Sequence, residues 1–154
     1  MVRRMRLKEA VRVEAIKRIN DANDPIAEMK LRGDISELTF TNDNMLPTFY
    51  EAIGCSLIEG VDLPKLGVRM WVDEEGKLKN DTPINLDGTM LYIKEWKAND
   101  LILGNVVFTS MRVSKDGYTE GLNAKEKKRL LLVLDFFQSA RPETGFMTEV
   151  LNDH

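Results

Sequence analysis

The 154-residue chain has one cysteine, Cys55, and one histidine, His154. A single cysteine forms no intramolecular disulfide. One histidine at the end of the chain leaves no Cys/His zinc cluster, no Cys-His nucleophile pair and no Ser-His-Asp triad. A carboxylate-only magnesium site survives this pruning. Long apolar runs are also missing, so no stretch reads as a membrane span. The basic start, Met1 to Arg6, runs into Lys8, Glu9, Arg12 and Glu14 rather than an apolar segment, which is not the pattern of a signal peptide. A cytoplasmic protein is the default expectation. There is no excess of basic charge: 22 Lys and Arg against 25 Asp and Glu give a net charge of −3. That argues against broad charge-driven binding to nucleic acid. No repeat, low-complexity segment or Pro/Gly/Ser linker divides the chain, which predicts one domain over 1–154.

What is present predicts an α+β fold, a largely antiparallel sheet packed by N-terminal, middle and C-terminal helices. Leu7, Ala10, Val11, Ala15, Ile16 and Ile19 recur at helical steps, so 7–22 reads as a helix. Asp24-Pro25 opens a second, shorter one that Gly33 closes, giving a helical part over 1–33. Residues 35–41 alternate as a strand with one wet face. Asn42-Asp43-Asn44 offers a cap for a helix through Phe49 and Ile53 to Gly54, and 55–61 reads as a strand with Leu57 and Val61 inward. Residues 68–79 read as a hairpin: a strand, the acidic turn Asp73-Glu74-Glu75 with Gly76 at positive φ, and a return strand. A short segment over 90–96 reads as helix. Residues 101–109 are the most strongly β run and predict a central strand, with Gly104 marking a bulge or close backbone approach. Asn123 and Glu126 form a capping box for a helix over 123–140. The sheet core is expected over 35–113, with 141–154 as a tail or a strap on another subunit.

Five blocks carry a family resemblance: Tyr50-Glu51-Ala52-Ile53-Gly54, Ile58-Glu59, Val72-Asp73-Glu74-Glu75-Gly76-Lys77-Leu78, Pro83-Ile84-Asn85 and Leu101-Ile102-Leu103-Gly104-Asn105-Val106. Their order over 38–113 resembles the family called domain of unknown function 3846. Asp73 stands where Asn is expected in many members. The resemblance implies a setting among accessory proteins of bacteriophages and mobile elements. It brings no reaction and no catalytic residues.

The carboxylates Asp73, Glu74 and Glu75 read first as a solvated turn. The stronger ligand candidates are Arg69, Trp71, Lys77, Asn85, Tyr92 and Trp96. A ring stacks a base, an amide reads its edge and a cation meets phosphate. The loop Asn85-Leu86-Asp87-Gly88-Thr89 could cradle an anion through its N–H groups, although it lacks P-loop spacing. The expectation is a non-enzymatic homo-oligomer that sequesters a nucleotide-type host defence signal, without cofactor or metal. The alternatives are a protein–protein inhibitor of a host enzyme and a magnesium-dependent phosphodiesterase using the carboxylates.

Overall fold

The computed structural model describes residues 6–15, 33–79 and 82–139. Its elements in order are β1 (Lys8–Val13), β2 (Ile35–Phe40), α1 (Met45–Ile53), β3 (Ile58–Leu63), β4 (Val68–Asp73), a 3-10 turn (Gly76–Leu78), α2 (Leu86–Trp96), β5 (Val106–Ser110) and α3 (Ala124–Ser139). The strands form one sheet in the order β2-β1-β5-β4-β3. Every neighbouring pair is antiparallel. This is an α+β fold with helices on both faces of an antiparallel sheet.

Both faces are covered, and that explains the patterning. On one face Ala10, Phe40 and Val107 pack under Phe49 and Ile53 of α1. On the other, Val11, Val13, Met70, Val106 and Phe108 meet Leu91 of α2 and Leu130 and Leu134 of α3. β5 lies in the middle and every one of its residues is buried. A strand with both faces dry has no period-two signature, which is why 101–109 reads as one apolar run. Gly104, at φ 84°, stops the strand short of that run. Leu103 forms an isolated bridge to Ile84 instead.

The expected helix over 7–22 is corrected by the structure. Residues Lys8–Val13 are a strand paired to both β2 and β5. Val11 and Val13 face one core while Lys8 and Ala10 face the other and are also buried, so the apolar positions mimic helical spacing. Of the second N-terminal helix and of the tail over 141–154, all but Gly33 lies outside the described residues.

The expected hairpin is also re-drawn. Arg69, Trp71 and Asp73 do share one face of β4, with Met70 and Val72 on the other. The strand's hairpin partner is β3, which precedes it, and Lys77 belongs to the 3-10 turn rather than a return strand. The Asp73 side chain accepts from the Glu75 N–H at 2.9 Å, and Leu78 N donates to Glu75 O at 3.0 Å. Gly76 is not among the glycines at positive φ; the local side-chain bond turns the chain without it. β3 begins at Ile58, so Leu57 falls before the strand and is exposed.

α2 is longer than its sequence signal because its first turn is buried rather than amphipathic. Asn85 caps it by accepting from Gly88 N at 2.9 Å. The same side chain donates to Val13 O and Gly104 O, each at 2.9 Å. Thr89 then ties the helix to the Ile102 backbone. At α3 the capping box forms as read: Glu126 N donates to Asn123 Oδ1 at 2.8 Å, and Asn123 N to Glu126 Oε1 at 2.9 Å.

Candidate functional site

The six sequence candidates do not converge on one cavity. Arg69 and Trp71 lie on the α1 face of the sheet. Arg69 forms an ion pair with Asp62 across the β3–β4 ladder and lies over the Trp71 ring, 5.8 Å from its centroid. Trp71 is half-buried, donates to Thr109 Oγ1 at 2.9 Å and tilts against Phe49. Asn85 is fully buried and its amide is taken up by the cap and two carbonyls. The segment 85–89, which could have cradled an anion, is the buried start of α2, and its Asn85, Gly88 and Thr89 N–H groups donate within the chain. Trp96 is half-exposed and donates to Asp62 O at 3.0 Å at the sheet edge.

Of the six, Lys77 and Tyr92 alone line a common groove. It encloses about 160 Å³ on the opposite face, between the ends of β3 and β4, the 3-10 turn, α2 and the chain over 100–103. Glu59, Asp73, Glu74 and Asp100 line it too, so four carboxylates stand against one lysine. The lysine ammonium is paired with Asp100. Asp73 is held by Lys79 at 2.7 Å. A groove of this sign repels a phosphate.

A second cleft lies on the same face, across α2. It encloses about 210 Å³ between the β3–β4 turn, α2 and α3. Leu63, Leu66, Leu91 and Val133 form its apolar floor, and Lys65, Lys94, Glu95 and Arg129 its rim. Three cations thus stand against one carboxylate. Each wall is fixed locally. Glu95 Oε1 accepts from the Lys65 N–H at 2.7 Å, which joins the turn to α2. Arg129 Nε donates to Leu66 O at 2.7 Å, which joins it to α3. Gly67 closes the turn at φ 83°, and its missing Cβ matters twice: an added one would meet Arg129 Nη2 at 2.7 Å. The guanidinium therefore rests on bare backbone, with its remaining N–H groups beside the cleft. Lys94 Nζ lies 5.3 Å from the Phe137 ring centroid, a cation–π contact that positions the ammonium at the rim.

Sequence reasoning missed this cleft because its residues come from three segments far apart in the chain. Lys65 reads as a loop lysine and Arg129 as one charge in a basic helix start. Only the apolar pair Leu63 and Leu66 around Pro64 and Lys65 hinted at a loop that turns inward.

Other titrating groups serve the frame. Burial pushes the Glu126 carboxyl up, but hydrogen bonds from Arg112, the Asn123 N–H and Ser110 outweigh it and hold it below its ordinary value of 4.5. Burial and the nearby Asp73 charge raise the Cys55 thiol above its usual range. Among the described residues no three His, Cys, Asp or Glu side chains gather as metal ligands. No helix among them is long and apolar enough to cross a membrane.

Comparison with curated proteins gives no match, and comparison with solved structures gives none. Comparison with protein families matches residues 25–133, wider than the expected 38–113 and reaching well into α3. That stretch is more than half of the chain and includes both clefts. The chain therefore belongs to the family described as Domain of unknown function (DUF3846).

Proposed function

We propose that this protein binds a small nucleotide-type molecule without transforming it, and acts by sequestration as an accessory protein of a phage or mobile element. The observation that supports this best is the cleft between the β3–β4 turn, α2 and α3. Its apolar floor suits a flat base, and Lys65, Lys94 and Arg129 at the rim suit a phosphate. Guanidinium and ammonium groups held beside an apolar surface make charge-assisted hydrogen bonds stronger than the same groups make in bulk water. No catalytic step is needed for this role, and the cleft residues include no histidine, cysteine or serine to carry one.

The ligand contacts move accordingly from the six sequence candidates to the cleft. Of those six, Trp96 is nearest in sequence to the rim, one residue after Glu95. The phosphodiesterase alternative draws no support from the described residues, since their carboxylates form no gathered ligand set. Calorimetry with a panel of mononucleotides and cyclic dinucleotides, followed by recovery of the ligand from denatured protein, tests the reading. Saturable binding with intact recovery is expected. Absence of binding across the panel, or recovery of a hydrolysed product, contradicts it.

A further inference from the structure

The outer face of α3 is exposed, and of its side chains Arg129 reaches back to the Leu66 carbonyl. After the exposed Ala124 at its start, the exposed positions are Lys125, Lys128, Arg129, Leu132, Asp135, Phe136 and Ser139, opposite the buried Glu126, Leu130 and Leu134. At 100° per residue they form one stripe with Leu132 at its centre. Leu132 is 60% and Phe136 66% exposed, large values for apolar side chains one turn apart. Lys127 turns away from this stripe to pair with Glu37 and Glu9. Lys128 and Asp135, by contrast, make no ion pair among the described residues.

We propose that this stripe is a self-association surface on which α3 of a second copy packs antiparallel about a two-fold axis beside Leu132. The charges select that arrangement. Lys128 and Asp135 lie on one side of the stripe, about 6 Å before and about 4.5 Å after Leu132 along the helix. Arg129 and Phe136 lie on the other side at matching offsets. A two-fold axis of this kind keeps each side facing itself and reverses the direction of the chain. It therefore sets Lys128 against the partner's Asp135 and Arg129 against the partner's Phe136, each twice, around a central pair of Leu132 side chains. Parallel packing about a two-fold axis along the helices exchanges the sides and sets Lys128 against the partner's Arg129, so like charges oppose it. One helix per copy is a small interface, so the dimer is weak and concentration-dependent. The same pairing brings the partner's Phe136 to the rim of the Arg129 cleft.

The pairing does not rest on the ligand reading, and sedimentation equilibrium without ligand tests it. The full chain is expected to pass from monomer to dimer as concentration rises. Leu132→Glu is expected to stay monomeric with unchanged helical circular dichroism, because the side chain is exposed. Lys128→Glu is expected to weaken the dimer several-fold, and Lys128→Glu combined with Asp135→Lys to restore it. A chain that stays monomeric at every concentration overturns the proposal. So does a dimer that survives Leu132→Glu, or a charge swap that fails to restore association.

Discussion

Two clefts flank α2 on one face of the sheet, and they differ in charge more than in size. The cleft toward α3 has three cations and one carboxylate over an apolar floor. The groove toward the 3-10 turn has four carboxylates and one lysine. Their volumes, about 210 and 160 Å³, are similar. Volume alone does not distinguish them as sites for an anion; the sign of the rim does. The difference comes from what each wall contributes. α3 presents Arg129 to one cleft, while the end of β4 and the turn after it present Asp73 and Glu74 to the other. In the acidic groove the protein's own ammonium groups already meet carboxylates. In the basic cleft Arg129 is fixed by a backbone contact and Lys94 by a ring contact, and Glu95 receives the Lys65 backbone N–H.

The largest effect is expected at the wall both clefts share. Asn85→Ala removes the α2 cap and leaves the Val13 and Gly104 carbonyls without their donor in a dry interior. A loss of about 2–4 kcal/mol of stability is expected, combining the cap and the buried unsatisfied groups. Urea unfolding checks it, and both clefts weaken together. The next effect separates them. Lys94→Glu reverses one rim charge of the basic cleft and is expected to weaken nucleotide binding roughly tenfold to a hundredfold, the range of one charge-assisted contact. Isothermal titration at fixed ionic strength reads it. Gly67→Ala strains the turn and collides with the Arg129 guanidinium. It is expected to cost about 1–2 kcal/mol in stability and to weaken ligand binding as well, because the guanidinium has to shift.

A pH dependence sharpens the contrast, since α3 walls only the basic cleft. The Glu126 carboxyl is held below its ordinary 4.5, so its contribution is present in full above that value. It is lost as pH falls through the lower folded value. Native protein and Glu126→Gln are thus expected to differ by about 1–3 kcal/mol near neutrality and to converge in acid, as read by unfolding at a series of pH values. The smallest effect is expected in the acidic groove. Glu59→Gln with Glu74→Gln should leave nucleotide affinity nearly unchanged, or raise it slightly by removing nearby negative charge.

How much of this is legible in the sequence follows from burial. α1 with its end at Gly54, the strand Ile35–Phe40 and the Asn123–Glu126 capping box declare themselves through local signals, and the structure has them close to where they were expected. β1 does not, because a strand buried on both faces with Lys8 folded inward loses its alternation. Asn85 looks like a loop amide until its buried carbonyl partners are in place. The aromatic and cationic residues around the acidic turn read as one pocket in sequence. A sheet divides them: side chains alternate along β4, so Arg69 and Trp71 go to the α1 face. Lys77 and Tyr92 line the groove on the other. The basic cleft was invisible for the converse reason, as Lys65, Lys94 and Arg129 meet only once the chain has folded.

The most direct test of the central claim is calorimetric titration of a mononucleotide panel into the native chain and into Lys94→Glu side by side. Saturable binding by the native chain, weakened at least tenfold in the variant, is the predicted result. Equal affinity in the two proteins, or no binding by the native chain, contradicts the assignment of the ligand to the basic cleft.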